Sequence, residues 1–215
     1  MLIQSTEPNR AELLCRLIAD QPSETYYNEF DTIVSNESDL PVSRLRAACG
    51  LNAIDPGQQH PQVKSPAIAR ALLKESGRNL TGWTQLLRKD SVLLVDPLGE
   101  ICRSEPNAST AVSAAEALAE VIRQNNDSAS LMKWLLVARN DAVEKLIGVI
   151  PDLDNHGQMV EFLTAETRKP IPDGLPEDQR FELERRQATA ALSLHLLGRP
   201  EAISRILQMQ ANPEL

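Results

Sequence analysis

Apolar residues recur three and four positions apart along most of the chain, in blocks separated by Pro, Gly, Asp and Asn. This spacing places the apolar residues on one side of an α-helix, whereas the alternation typical of β-strands is missing from the sequence. We expect one all-α domain over residues 1–215, with an irregular loop near 168–176. The pattern predicts helices at 8–20, 23–35, 41–54, 62–76, 79–89, 91–104, 107–124, 127–138, 140–150, 157–168, 177–197 and 200–210.

The segment LPVSRLRAACGLNAIDP, residues 40–56, indicates both ends of one helix. Pro41 suits the first helical turn, and the Asp-Pro pair at 55–56 ends the helix. We expect Arg44 and Arg46 to point outward. The opposite side of this helix carries small and apolar residues and is expected to face the core: Leu45, Ala48, Cys49 and Asn52.

The run SVLLVDPLGEICRS, residues 91–104, is rich in β-branched residues but continues into a helical pattern through Pro97. A proline inside a helix removes a backbone donor and usually bends or restarts it. We expect Asp96 to cap the second half of this helix.

Pairs of adjacent alanines recur on three predicted helices, roughly 70 residues apart. They are Ala47-Ala48, Ala114-Ala115 and Ala190-Ala191. This interval holds about two helical hairpins, so the pattern indicates a four-helix unit used about three times. Alanine lets neighbouring helices approach closely, which predicts that the partner of each alanine-rich side is another helix of the same chain. The alternative is an alanine-rich helix in a bundle without repeats.

The composition supports this helical interpretation. Hydrophobic residues make up 42% of the chain but aromatic residues only 3%, so the core must consist mainly of Leu, Ala, Ile and Val. We expect Trp83 and Trp134 to anchor that core, although a large aromatic side chain can also be an exposed binding residue.

The formal net charge of −8 repels the phosphate backbone, so nucleic acid is not expected as a partner. An odd number of widely spaced cysteines, Cys15, Cys49 and Cys102, favours reduced, buried thiols and a cytoplasmic location. No apolar run approaches the roughly 18 residues of a membrane span, and no basic region precedes an apolar stretch at the start.

No combination of residues predicts catalysis, a cofactor or a metal ion. His60, His156 and His195 are isolated in the sequence and are expected in loops or on the surface. Cys49 has no nearby base that would activate its thiol. The glycines in SGRNLTGW lack the spacing of a phosphate loop.

The segment LPEDQRFELERRQ, residues 175–187, places acidic residues ahead of basic ones on one predicted helix. Glu182 and Arg186 are four residues apart in the favourable order for an ion pair. The segment is interpreted either as a solvated face that pairs with itself or as a charged docking surface.

Several separated phrases resemble one known family: RLRAACGLNAIDP, TGWTQLLRKDSVLLVDPLGEICRSE, AAEALAEVI and ERRQATAALSLHLLGRPEAISRIL. They are similar to the HEAT-like helical segment of large planctomycete multidomain proteins. In those proteins such helices lie between a Hanks-type Ser/Thr kinase domain and a sulfatase-modifying-factor (formylglycine-generating enzyme-like) or WD-repeat domain. The likeness covers about 30–210 and departs at AETRKPIPDGLPEDQRF.

The resemblance implies a HEAT-like α-solenoid of stacked helical hairpins and a protein partner, with kinase or sulfatase-modifying-factor-like domains as candidates. The expected function is a non-catalytic interaction scaffold or interdomain spacer. Alternatives are a tetratricopeptide-like peptide-binding module, which needs a period near 34 residues, and a HEAT-type DNA glycosylase, which needs a basic concave face. The candidate protein-binding residues are Arg44, Arg46, Arg185 and Arg186.

Overall fold

The structure is a computed structural model that describes residues 1–75, 77–172 and 174–201. All regular secondary structure within these ranges is helical, which confirms the all-α prediction. The predicted helix 200–210 falls almost entirely outside the described residues. The α-helices are α1 (Pro8–Asp20), α2 (Glu24–Ser35), α3 (Pro41–Ile54), α4 (Pro66–Leu72), α5 (Gly77–Leu87), α6 (Val95–Ser104), α7 (Ala108–Asn125), α8 (Ser128–Leu135), α9 (Asn140–Ile147), α10 (His156–Glu166) and α11 (Glu177–Leu196).

Short 3-10 segments replace parts of the predicted helices. The predicted helix 62–76 consists of a 3-10 segment followed by the seven-residue α4, which begins at Pro66 because a proline suits the first turn. The predicted helices 91–104 and 140–150 likewise combine a 3-10 segment with an α-helix. The 3-10 segments are Leu2–Gln4, Pro61–Val63, Arg88–Leu94 and Ile150–Asp152.

The predicted cap by Asp96 is wrong. The helix α6 begins at Val95, directly after a 3-10 segment, and no side chain caps it. Pro97 therefore lies in the first turn, where its missing N–H costs nothing. The Asp96 carboxylate instead accepts a hydrogen bond from Lys133 Nζ at 2.7 Å, and Lys64 Nζ lies 3.6 Å away. Both cations hold the pKa of Asp96 below its ordinary value, and Lys133 has the larger effect.

Helix α3 is buried on all sides from Arg44 to Ala53. It contacts α1, α2, α4 and α5. The close approach of α2 is visible at Gly50, where an added Cβ would lie 2.6 Å from Cε2 of Phe30. The prediction that alanine-rich sides face other helices is confirmed here, but α3 is enclosed rather than buried along one side.

The other alanine pairs are buried in the same way. Ala114 and Ala115 lie on α7, which packs against α6 and α9. Ala190 and Ala191 lie on α11, which packs against α9 and α10. The pairs therefore fall on α3, α7 and α11, four helices apart, which matches the predicted interval.

Two series of helix contacts run through the fold. In one series, α3 contacts α5, α5 contacts α7, α7 contacts α9, and α9 contacts α11. In the other, α4 contacts α6, α6 contacts α8, and α8 contacts α10. The two series are joined mainly by the pairs α3–α4, α6–α7 and α10–α11. Each helix thus packs on its near neighbours in sequence.

Both tryptophans are core residues, as predicted. Trp83 of α5 is fully buried and Trp134 of α8 is 4% exposed. The three cysteines are free and buried, as predicted. Burial raises the pKa of the Cys15 thiol to about 11 and that of Cys102 to about 12, and it raises the pKa of Cys49 well above its ordinary value.

Candidate protein-binding surface

Two of the four arginines predicted for binding are inside the protein. Arg44 and Arg46 are 6% and 7% exposed, so the prediction that they point outward is wrong. Arg44 Nε donates a hydrogen bond to the backbone carbonyl of Val34 at 2.9 Å, near the end of α2. The Arg46 guanidinium lies 5.2 Å from the ring centre of Trp83, a cation–π contact, and burial lowers its pKa.

The other two arginines are partly exposed, but they also contact groups of the same chain. Arg185 Nη2 donates to the carbonyls of Val137 and Ala138 at 2.9 and 3.1 Å. Arg186 Nε lies 3.0 Å from Oε1 of the buried Glu166, which also pairs with Lys169. The expected pair of Glu182 with Arg186 is therefore replaced by a contact between α11 and α10. The guanidinium groups of Arg185 and Arg186 therefore connect α11 to other parts of the fold.

A groove of about 660 Å³ crosses α1, α5, α7 and α9. Its charged lining residues come from three of these helices: Arg78, Glu116, Glu120, Arg123 and Lys145. We call it the charged groove. It follows the first series of helix contacts, so consecutive helices contribute one after another to a single surface.

Ion pairs across the charged groove join the helices that form it. Lys145 Nζ of α9 lies 2.7 Å from Oε1 of Glu116 on α7. Arg123 of α7 binds Glu120 at 2.6 Å on the same helix and Asp152 at 2.8 Å. These hydrogen bonds raise the pKa of both cations, that of Lys145 through Glu116 and that of Arg123 mainly through Asp152. Lys145 and Arg123 therefore stay charged at physiological pH.

A second set of hydrogen bonds fixes α7 against α5 beside the groove. Gln124 Nε2 donates to Thr84 Oγ1 at 2.6 Å and to Oε1 of Glu120 at 2.8 Å. The exposed Arg78, at the start of α5, forms no ion pair within the described part of the chain. It is therefore the lining cation most available to a partner.

The charged groove suits a protein surface better than a nucleic acid. Acidic and basic side chains line it together, so phosphate groups would meet the carboxylates of Glu116 and Glu120. Its lining, as the described residues define it, contains no aromatic side chain on which a base could stack. Sequence reasoning missed this surface because its residues lie on separate helices. The signal was the order Glu116, Glu120, Arg123, which places two acidic residues and then a basic one on one side of α7.

His60 is a buried residue, contrary to the expectation of a loop or surface histidine. It is 1% exposed, and its Nδ1 lies 2.7 Å from Oδ2 of the buried Asp90. The backbone N–H of His60 donates to Oδ1 of Asp90 at 2.8 Å, and Asn52 Nδ2 donates to Oδ2. We call these three residues the Asp90 cluster. It fixes two 3-10 segments against α3.

The Asp90 cluster has no access to a substrate, since all three side chains are buried and none lines a groove described here. Across residues 1–75, 77–172 and 174–201, no group of three or more His, Cys, Asp or Glu side chains is arranged to hold a metal ion. Within the same ranges, no helix has both the length and the apolar character needed to cross a membrane.

Comparison with known proteins yields no further assignment. No protein-family model matches the chain, and no curated protein or solved structure is significantly similar to it.

Proposed function

We propose that this chain is a HEAT-like α-solenoid that acts as a non-catalytic, cytoplasmic protein-interaction scaffold or interdomain spacer. The observation that carries the proposal is the pair of contact series, α3 to α11 and α4 to α10, in which each helix packs on the next of its own series. Solenoids are built in this way, because each repeat contacts mainly its neighbours and the repeats together expose one long surface.

The charged groove supports the scaffold role. Three of its four helices, α5, α7 and α9, belong to the first contact series, so it is an extended surface rather than a pocket within one repeat. Its ion pairs hold the lining side chains in fixed positions, which lowers the entropy lost when a partner binds. The alternative of a tetratricopeptide-like module is less well supported, because helix lengths range from seven residues in α4 to 20 in α11.

The resemblance supplies the partners to test. A purified Ser/Thr kinase domain and a purified formylglycine-enzyme-like domain from proteins of the resembling class can be titrated against the chain by calorimetry. We expect one of them to bind, and Arg78→Glu to weaken binding by about tenfold, or ~1.4 kcal/mol.

Arg168→Glu is the matched control, because Arg168 is also an exposed cation but lies on the C-terminal side of α10, outside the groove. An equal loss in both variants would contradict binding through the charged groove. No binding of either domain by a correctly folded chain would contradict the scaffold role and leave only the spacer.

A further inference from the structure

A second groove lies between the 3-10 segment Leu2–Gln4, α1 and α2, with a volume of about 530 Å³. We call it the apolar groove. It shares no lining residue with the charged groove. Most of its walls are apolar side chains, among them Leu2, Ile3, Leu14, Leu17, Ile18 and Tyr26.

Two leucine side chains of α1 are unusually exposed. Leu13 and Leu17 are 62% and 65% exposed, and Tyr26 on the neighbouring α2 is 46% exposed. Leu13 and Leu17 are four residues apart, so they lie one above the other on the same side of α1. Single exposed leucines are common on soluble proteins, but a row of them beside an apolar groove marks an interaction surface.

The charged side chains that line the apolar groove are acidic. Asp20 and Glu29 are its charged lining side chains, and neither forms an ion pair within the described part of the chain. The nearest cation on the same helix, Arg16, is paired with Glu12 and lines a different depression. A partner that covers the leucines therefore binds most tightly if it also brings positive charge to Asp20 and Glu29.

We propose that the apolar groove binds a basic amphipathic helix of a protein partner. Apolar residues of that helix, spaced three and four apart, would cover Leu13 and Leu17, while Lys or Arg at its edge would pair with Asp20 and Glu29. The proposal goes beyond the scaffold function, because it names a second binding surface and the chemical character of the helix that binds there.

Other occupants fit the observations less well. A second copy of the chain would place one acidic rim against another, on a protein whose net charge is already −8. An anionic membrane would be repelled by the same carboxylates. A small apolar ligand would leave much of its surface in water, because the groove is open enough that Leu17 stays 65% exposed.

The test uses the full chain and a synthetic amphipathic helix of about 18 residues, with Leu on one face and Lys on the other, labelled for fluorescence anisotropy. We expect this peptide to bind, and its counterpart with Glu in place of Lys to bind at least about tenfold more weakly. Tight binding of the Glu peptide would overturn the charge argument.

Leu17→Ser tests the position of the site. We expect the Lys peptide to bind this variant about tenfold or more weakly, since an apolar anchor is lost. Leu40→Ser is the matched control, because Leu40 is 72% exposed but lies outside the apolar groove. Both leucines are exposed, so both variants should keep the circular dichroism spectrum of the wild type. Equal binding by the two variants would overturn the proposal.

The double variant Asp20→Asn, Glu29→Gln tests the two carboxylates of the groove. The control is the double variant Glu37→Gln, Glu161→Gln, which removes the same charge from exposed positions elsewhere. We expect weaker binding and a reduced salt dependence only in the first. An equal effect in both would mean that the overall charge attracts the peptide, and the site would be overturned.

Two further results would also overturn it. One is a dimer in analytical ultracentrifugation that Leu17→Ser dissociates, since a second copy would then occupy the groove. The other is binding of the chain to phosphatidylcholine–phosphatidylserine vesicles that Leu17→Ser abolishes. Failure of the peptide to bind leaves the proposed function unaffected, because the kinase and formylglycine-enzyme-like domains are tested at the charged groove.

Discussion

The contact between α6 and α8 leaves no room for a side chain at Gly99. A Cβ built there would lie 2.1 Å from Cδ2 and 2.2 Å from Cε2 of the Trp134 ring. Carbon atoms in contact are normally about 3.5–4.0 Å apart, so Gly99→Ala requires the two helices or the ring to separate by more than about 1 Å. Trp134 is only 4% exposed, and a buried ring of that size has few ways to yield.

The expected cost follows from two opposing effects. Overpacking a well-packed core costs about 1–3 kcal/mol, whereas replacing glycine by alanine inside a helix contributes up to about 1 kcal/mol. We therefore expect Gly99→Ala to lower the free energy of unfolding by about 1–2 kcal/mol. In a chain of this size that corresponds to a fall in Tm of roughly 2–8 °C. Urea denaturation followed by circular dichroism and by tryptophan fluorescence measures it.

Gly157→Ala is the matched control, because a Cβ at this position of α10 would meet no heavy atom within 4 Å. We expect it to leave the free energy of unfolding unchanged or to raise it by up to about 1 kcal/mol. A second arm places Gly99→Ala in a Trp134→Leu background, where the smaller side chain should remove the penalty. If Gly99→Ala is as stable as the wild type, or if its penalty persists without the Trp134 ring, the reasoning is refuted.

Three further predictions concern other parts of the core. Ala48→Leu should destabilise the fold by about 1–3 kcal/mol in urea denaturation, whereas the exposed Ala188→Leu should change stability little; equal effects would mean that Ala48 is not at a helix interface. Asp90→Ala should cost about 3–5 kcal/mol, because it leaves a buried histidine and a buried amide without their acceptor, and an unchanged urea midpoint would contradict this. Because burial raises the pKa of Cys15 to about 11 and that of Cys102 to about 12, the unfolded chain ionises these thiols first. The contribution of these thiols to the free energy of unfolding should therefore be constant below pH 9.0, the ordinary thiol pKa, and should fall as the pH rises from there toward these values. Ellman's reagent should react with the thiols only after denaturation, and rapid reaction with the native protein would show that they are accessible.

Most helices could be predicted because the apolar period is a local property of the sequence. Boundaries shifted where a 3-10 turn or a proline intervened, as at Pro66 and Val95, because hydrophobic period alone does not distinguish a 3-10 segment from the first turn of an α-helix. The close helix contacts at Gly50 and Gly99 did leave a signal. A glycine inside a helix costs about 1 kcal/mol relative to alanine, so its presence indicates that something else needs the space.

The polar contacts could not be predicted, because their partners are distant in sequence. His60 lies directly before the 3-10 segment Pro61–Val63 and Asp90 lies in the segment Arg88–Leu94, and nothing in their local sequences links them. The charged groove is likewise assembled from α1, α5, α7 and α9, and only the charged residues on one side of α7 were visible beforehand. The apolar groove had a local signal in Leu13 and Leu17, but sequence alone does not distinguish exposed leucines from core leucines.

The burial of Arg44 and the internal hydrogen bonds of Arg185 have a physical cause that recurs in this fold. A helix leaves its last carbonyl groups without intrahelical donors, and some of these lie where neighbouring helices exclude water. Arg44 donates to Val34 near the end of α2, Arg139 to Glu105 just after α6, and Arg185 to Val137 just after α8.

These three arginines extend across a gap that short side chains would leave open. The aliphatic part of an arginine packs against apolar neighbours while its guanidinium satisfies a carbonyl several ångströms away. In a core with few aromatic residues and many alanines, an arginine side chain thus both fills space and supplies a strong hydrogen-bond donor. An arginine that donates to a carbonyl near the end of another helix is therefore, in this chain, more a sign of how helices are joined than of a surface that binds a partner.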